Sequence, residues 1–226
     1  MANKQVFVFY YEWQSTKGNH AGMAHLVRAF KKEYTGQVVL IKEPSYQIEK
    51  NGRLKLWSKW CWFWFTVVRL ALGSKNSDEI FFTEYGGIGW QTKIAGVLKS
   101  FRPAVRRTGL MHLPLPVLKE YYKSELRLRN VLNQVDSLMV FGSSLERELQ
   151  ELNVQPTVTR TFHYVDDFYL NDKKPQLVEE RPLEVLFVGN LMRNYNILQS
   201  VIGGGQSASV YFSYLRWGLQ PEGNVC

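Results

Sequence analysis

Short apolar runs recur along this chain with room for a helix between most neighbours, and that alternation restricts its fold more than any other feature. The runs are Gln5 to Tyr11, Gln37 to Ile41, Glu79 to Thr83, Thr108 to His112, Ser137 to Phe141, Val158 to Phe162 and Leu183 to Val188. Each has the length of a strand, and strands that alternate with helical patterns are joined by crossovers into a parallel sheet. Met23 to Tyr34 brings Ala24, Val27, Ala29 and Phe30 near one face, and Trp90 to Phe101 does so with Ile94, Val97, Leu98 and Phe101. Both spacings predict crossover helices. Ser143-Ser144-Leu145-Glu146 predicts a capping box, with Ser143 accepting from the helix start and Glu146 reaching back. The expected class is α/β, a parallel sheet flanked by helices.

Asn171 through Pro182 is polar, carries two prolines and has no periodicity, so a linker is expected at 171–182 between a domain over 1–170 and a second unit over 183–226. That second unit opens with the run at Leu183 and a short helical segment to about Ile202. From Gly203 onward the chain is rich in Gly and Ser, and an irregular tail is expected.

With 226 residues, 45% of them hydrophobic, the chain can bury one full core and part of another. This excludes a disordered or collagen-like polymer. Its charge is uneven: Met1 to Val135 holds 21 basic and 9 acidic residues, whereas Asp136 to Cys226 holds 7 and 11. The first part therefore attracts anionic partners. Two cysteines, Cys61 and Cys226, make neither a disulfide framework nor a Cys-rich zinc site, which implies a reducing compartment and no metal. The N-terminus lacks a cleavage-site pattern. The longest apolar run, Trp60 to Leu72, is interrupted by Thr66 and Arg69 and falls short of the roughly 18 residues needed to cross a bilayer. A cytoplasmic chain, soluble or peripheral on the inner face of a membrane, is expected.

Ligands of open parallel sheets bind beyond the carboxyl ends of the strands, so the residues that follow each strand are the candidates. After the first run, Gly18, His20 and Gly22 lead into a helix whose free N–H groups could hold a phosphate or a sugar hydroxyl, or else form a plain connection. The stretch is neither GxxxxGK[ST] nor GxGxxG. Glu84-Tyr85-Gly86 follows the third run, where a ligand could approach the backbone or the glycines could make a tight turn. His112 closes the fourth run ahead of Pro114, as a ligand contact or as a structural imidazole. Gly189-Asn190 follows the last run, with Arg193 able to fork onto a diphosphate or to stand exposed on a helix. No GxSxG elbow is present, so a hydrolase has no support.

Arg53 to Arg69 is a separate feature. Trp57, Trp60, Trp64 and Val68 share a helical face with Arg53, Lys55 and Lys59 nearby. Indole rings with cations suit the headgroup zone of an anionic membrane, and an apolar crossover helix is the other reading. Nucleic acid is not an expected partner, since no RNP, KH or helix-turn-helix pattern occurs.

Taken in order, the glycine-containing loop after the first strand, His112 before its proline-rich turn, Val135 to Ser144 before a helix, Thr161 to Tyr169, and Leu186-Phe187-Val188-Gly189-Asn190-Leu191 together resemble GT-B glycosyltransferases acting on nucleotide sugars, of the family 4 type. The resemblance runs from about Val6 to Ile202. It implies two Rossmann-like domains across a cleft, the first holding the acceptor and the second the donor. It further implies that Gly18, His20, Gly22, Gly189, Asn190 and Arg193 line the donor site, that Glu84, Tyr85 and Gly86 face the acceptor, and that His112 is catalytic, touching the transferred sugar. Lys55, Trp57, Lys59, Trp60 and Trp64 would dock on an anionic membrane. Asn190 stands where the family has an arginine, Tyr195 and Asn196 stand where it has Lys-Gly, and Glu222 is the only acid after Glu184. A truncated donor domain is therefore expected.

The function expected is transfer of a sugar from a nucleotide sugar to a glycan or lipid-linked acceptor, without a cofactor. The alternatives are a non-catalytic acceptor- or membrane-binding fragment of such an enzyme, and a nucleotide-sugar epimerase on the same plan.

Overall fold

The computed structural model describes residues 4–13, 22–44, 52–87, 89–162, 184–187 and 211–214, with the last two stretches and 52–55 described as backbone only. The chain forms two compact units, Met1–Leu170 and Asn171–Cys226. In the first, strands β1 (Gln5–Tyr10), β2 (Gln37–Lys42), β3 (Glu79–Phe82), β4 (Arg106–Met111), β5 (Ser137–Val140) and β6 (Thr157–Arg160) alternate with helices. Those helices are α1 (Gly22–Glu33), α2 (Gly52–Gly73), α3 (Gln91–Phe101), the pair α4 (Leu115–Tyr122) and α5 (Glu125–Leu132), and α6 (Ser143–Glu151). The six strands make one sheet in the order β2-β1-β3-β4-β5-β6, and every pair is parallel. This is the expected α/β, Rossmann-like architecture.

The strand order dictates where the helices go. A crossover between parallel strands is right-handed, and β1 connects toward β2 on one side while every later connection moves toward β6. The first crossover therefore lies on one face and the rest on the other. Residues alternate across the sheet accordingly. Val6, Val8 and Val38 pack with Val27 of α1 in a small core. Phe7, Phe9, Ile80 and Phe82 join Phe63, Val67 and Leu70 of α2, Ile94 and Leu98 of α3, and Leu118, Leu128 and Leu149 in the large one. Beside α1, the uncovered part of its face leaves an apolar groove of about 520 Å³, floored by Phe81, Leu110, Met139 and Phe141.

Three local expectations are corrected. Helix α6 has no capping box: Gly142, at φ 122°, takes the N-cap position and no side chain caps the helix, so Ser143 is already its first helical residue. Pro114 does end β4, yet it also caps α4, and Pro116 falls in the first turn of that helix. A proline at that position lacks only an N–H that has no helical partner anyway. In the second unit, β7 (Glu184–Phe187) pairs in parallel with β8 (Tyr211–Tyr214), so the tail beyond Gly203 includes a strand. Its Tyr-Phe-Ser-Tyr composition favours a pleated surface.

Gly109 in β4 makes room for Tyr85. A Cβ at that position would stand 2.5 Å from Tyr85 Cγ and 2.7 Å from Cδ1. The ring is buried and anchored by its hydroxyl, which donates to the Val131 carbonyl at 2.6 Å, so it has no room to yield. Gly109→Ala is expected to destabilise the protein by about 1–3 kcal/mol through overpacking, read as a lower urea midpoint at unchanged slope. An unchanged midpoint would contradict this packing.

Candidate functional site

Where β1 lies between β2 and β3, connections leave in opposite directions, and the carboxyl ends of these strands border the crevice in which ligands of open parallel sheets bind. In this protein the first three strands each lead into a glutamate within two residues of their ends. Glu12 follows β1, Glu43 follows β2, and Glu84 follows β3 just past Thr83. Backbone bonds hold two of these exits in place: Glu43 N donates to the Tyr10 carbonyl at 2.8 Å, and Thr83 N to the Phe9 carbonyl at 3.3 Å.

The three carboxylates have different surroundings. Glu12 accepts from Arg28 Nη1 at 3.2 Å and from Lys42 Nζ. The Lys42 and Arg28 hydrogen bonds hold its carboxyl below the ordinary range. Glu43 is buried and accepts from the Trp90 backbone N–H and from Gln91 Nε2 at 2.9 Å. The other end of the Gln91 amide accepts from Glu84 N at 3.0 Å. One buried glutamine thereby ties the Glu43 side chain to the Glu84 backbone. The Glu84 carboxyl is pushed up to about 7, first by burial and then by the charge of Glu43, against a hydrogen bond from the Trp13 side chain. A carboxyl tuned to that range can give or take a proton near neutral pH, and as the anion it accepts hydrogen bonds from hydroxyls.

His112 follows β4 at the same edge. Its Nε2 is 2.9 Å from the Thr83 carbonyl oxygen. A carbonyl only accepts, so Nε2 carries the proton in this contact. The imidazole also lies against Phe141, with ring centroids 5.0 Å apart. Trp90 closes the Glu43 side, meeting Trp60 edge-on at 5.0 Å under the ammonium of Lys93, 4.5 Å from its ring centroid. The arrangement therefore brings a near-neutral carboxyl, an oriented imidazole and indole surfaces to one edge of the sheet.

The structure redistributes several expected roles. Tyr85 faces the core: it is buried, and its hydroxyl is committed to Val131, so it cannot touch an acceptor. Gly86 makes a turn, at φ 81°. Its N–H donates to Thr92 Oγ1 at 3.2 Å and its carbonyl accepts from Tyr122 Oη at 3.2 Å, which leaves its backbone engaged inside the protein. Gly22 is the first residue of α1. Gly18, His20, Gly189, Asn190 and Arg193 lie outside the described residues. On α2, Trp57, Trp60 and Trp64 are exposed, and Trp60 also meets Phe63 and Trp90 edge-on. Lys59 is half-buried, and Lys55 is described as backbone only. No cluster of metal-ligating side chains occurs among the described residues.

Glu43, Trp13, Trp90 and Gln91 belong to this carboxyl-edge group of side chains although no sequence motif marks them. The signal for Glu43 was present, since it follows the second apolar run as Glu84 follows the third; the bond from Gln91 could not be read from spacing.

Glu84 makes stability depend on pH. In the unfolded chain its carboxyl ionises near its ordinary 4.5, whereas in the folded protein it holds the proton to about 7, so ionisation opposes folding. The penalty is absent below the unfolded value and fully developed above the folded one. Stability should fall by about 3 kcal/mol between about pH 4.5 and 8 through this group. Glu84→Gln should flatten that part of the profile in urea melts taken across the range, and an unaltered slope in the variant would assign the loss elsewhere.

No family model and no curated protein matches this sequence. Among solved structures, the N-terminal domain of the trehalose-6-phosphate phosphatase of Candida albicans has a TM-score of 0.39 at 11% identity, over 67% of this chain and 43% of that one. The chain thus spans less than half of that structure, and a likeness of this degree assigns neither family nor activity.

Proposed function

We propose that this chain is a glycosyltransferase that moves a sugar from a nucleotide-sugar donor onto a hydroxyl of a glycan or lipid-linked acceptor at the inner face of a membrane. The observation that carries this reading is the group of Glu43, Glu84, His112, Trp13 and Trp90 at the carboxyl edge of a parallel sheet, together with the motif order that resembles the GT-B enzymes.

In the reaction, the bond between the sugar's anomeric carbon and the acceptor oxygen forms as the bond to the donor phosphate breaks. The nucleoside diphosphate leaves with the electron pair. Glu84, as the carboxylate, accepts a hydrogen bond from the acceptor hydroxyl and takes its proton, a role that suits a carboxyl titrating near neutrality. Trp13 and Gln91 hold that carboxylate in place, Trp13 by bonding its side chain and Gln91 by bonding its backbone. His112, oriented by the Thr83 carbonyl, contacts the transferred sugar. Catalysis of this kind draws on positioning and on fixed dipoles around the leaving diphosphate.

Calorimetric titration of the full chain with UDP, GDP and one nucleotide sugar of each tests the donor side. One nucleotide class should bind saturably, and its sugar conjugate should bind about tenfold more weakly to His112→Ala, a loss of about 1.4 kcal/mol. Silence from a folded sample toward all four compounds would remove the transferase reading and leave a non-catalytic acceptor- or membrane-binding fragment.

A further inference from the structure

Helix α2 has apolar residues all round its girth, and such helices are normally enclosed on every side or placed in contact with lipid. Only one side of α2 is enclosed. Phe63, Thr66, Val67 and Leu70 are buried, three of them in the core beneath the sheet. On the opposite side Trp57, Cys61, Trp64, Phe65, Val68 and Leu72 recur at spacings of three and four, which makes one continuous stripe. That stripe lies in the open: Trp57 is 71% exposed, Phe65 68% and Leu72 82%. Phe101, at the end of the neighbouring α3, is 65% exposed, and Arg102 beside it donates to the Ala71 carbonyl near the end of α2 at 2.9 Å. An exposed apolar patch of this extent is costly in water and marks a contact surface.

Its chemistry selects the contact. Arg69 and Lys93 are both exposed; Arg69 borders the stripe on the helix itself, and Lys93 stands over Trp60 and Trp90. No acidic residue occurs between Gly52 and Gly73, and the chain up to Val135 has 21 basic residues against 9 acidic. Indoles at the rim of an aliphatic and phenyl face, with cations beside them, match the headgroup boundary of an anionic bilayer. No described helix is long and apolar enough to cross a membrane, so the contact is in the plane of the surface.

We infer that α2, extended by Phe101, is an in-plane docking helix for an anionic lipid surface. Because α2 leads from the carboxyl edge of β2 back toward the start of β3, its first half lies at the same edge as Glu43 and Glu84, and Trp60 links the two through Trp90. Docking therefore brings that edge to the lipid surface, where a lipid-held acceptor would be found. The inference rests on the surface of α2 alone and holds whether or not the chain binds a nucleotide.

Flotation of the full chain with phosphatidylcholine vesicles, with and without about one-third phosphatidylglycerol, tests it. The wild type should float with the anionic vesicles and several-fold less with the neutral ones. Trp57→Ser/Phe65→Ser should lower the bound fraction at least tenfold, and Arg69→Glu/Lys93→Glu should reduce anionic binding to the neutral level. Circular dichroism would verify that each variant is folded, which substitutions at exposed positions favour. Failure of the folded wild type to float would overturn the inference, as would equal flotation of the Trp57/Phe65 variant. So would a stable dimer in light scattering that the same substitutions dissolve while no vesicles are bound.

Discussion

The backbone ladders that hold β1 between β2 and β3 are the constraint on which the described domain depends. With Val6 level with both Val38 and Glu79, the three strands end together, and their connections must leave from the same edge. Right-handed crossovers then assign α1 to one face and the later helices to the other. The glutamates at 12, 43 and 84 owe their proximity to this register, since they are more than thirty residues apart in sequence but follow strands that end side by side. A slip of one residue between β1 and β3 would exchange Phe9 and Phe82 of the large core for residues of the opposite face, disrupting the core and the carboxylate group together.

The two edges of the sheet treat charge in opposite ways. At the amino edge Arg107 is buried, and its Nη2 and Nε meet the two oxygens of Asp136 at 2.9 and 3.1 Å, while its own N–H donates to the same carboxylate at 2.7 Å. A buried cation met in this way by a carboxylate is structural, and it fastens β4 to the turn before β5. At the carboxyl edge two acids face each other, and Glu84 holds its proton to about 7. A carboxyl buried beside a like charge costs stability when it ionises, and such costs concentrate where chemistry is done.

The sheet is legible in the sequence because short continuous apolar runs such as Val6 to Phe9 are bounded too closely for a helix of useful length, and each strand except β8 lies within two residues of such a run. Helices α4 and α5 were not foreseen, because Pro114 and Pro116 read as a turn when taken alone and as a helix start only once β4 is seen to end before them. Residues near strand ends could be nominated, and His112 and Glu84 are found at that edge. Which way each side chain faces could not be read: Tyr85 and Glu84 are adjacent, yet one is closed into the core by Gly109 and the other borders the carboxylate group. The outer stripe of α2 was visible as tryptophans at helical spacing. Its separation from the buried face, and the turning of Trp60 toward Trp90, depend on where the sheet lies.

The central claim is that the carboxyl edge around β1, β2 and β3 is the place where this protein meets its ligand. Amide chemical-shift mapping of the full chain, with UDP and GDP sugars added in turn, tests it most directly. The account predicts that one series moves the resonances of Trp13, Glu43, Glu84, Gln91 and His112 while leaving Asp78, Arg107 and Asp136 at the opposite edge unmoved. Shifts centred on that opposite edge, with the five carboxyl-edge residues silent, would contradict it.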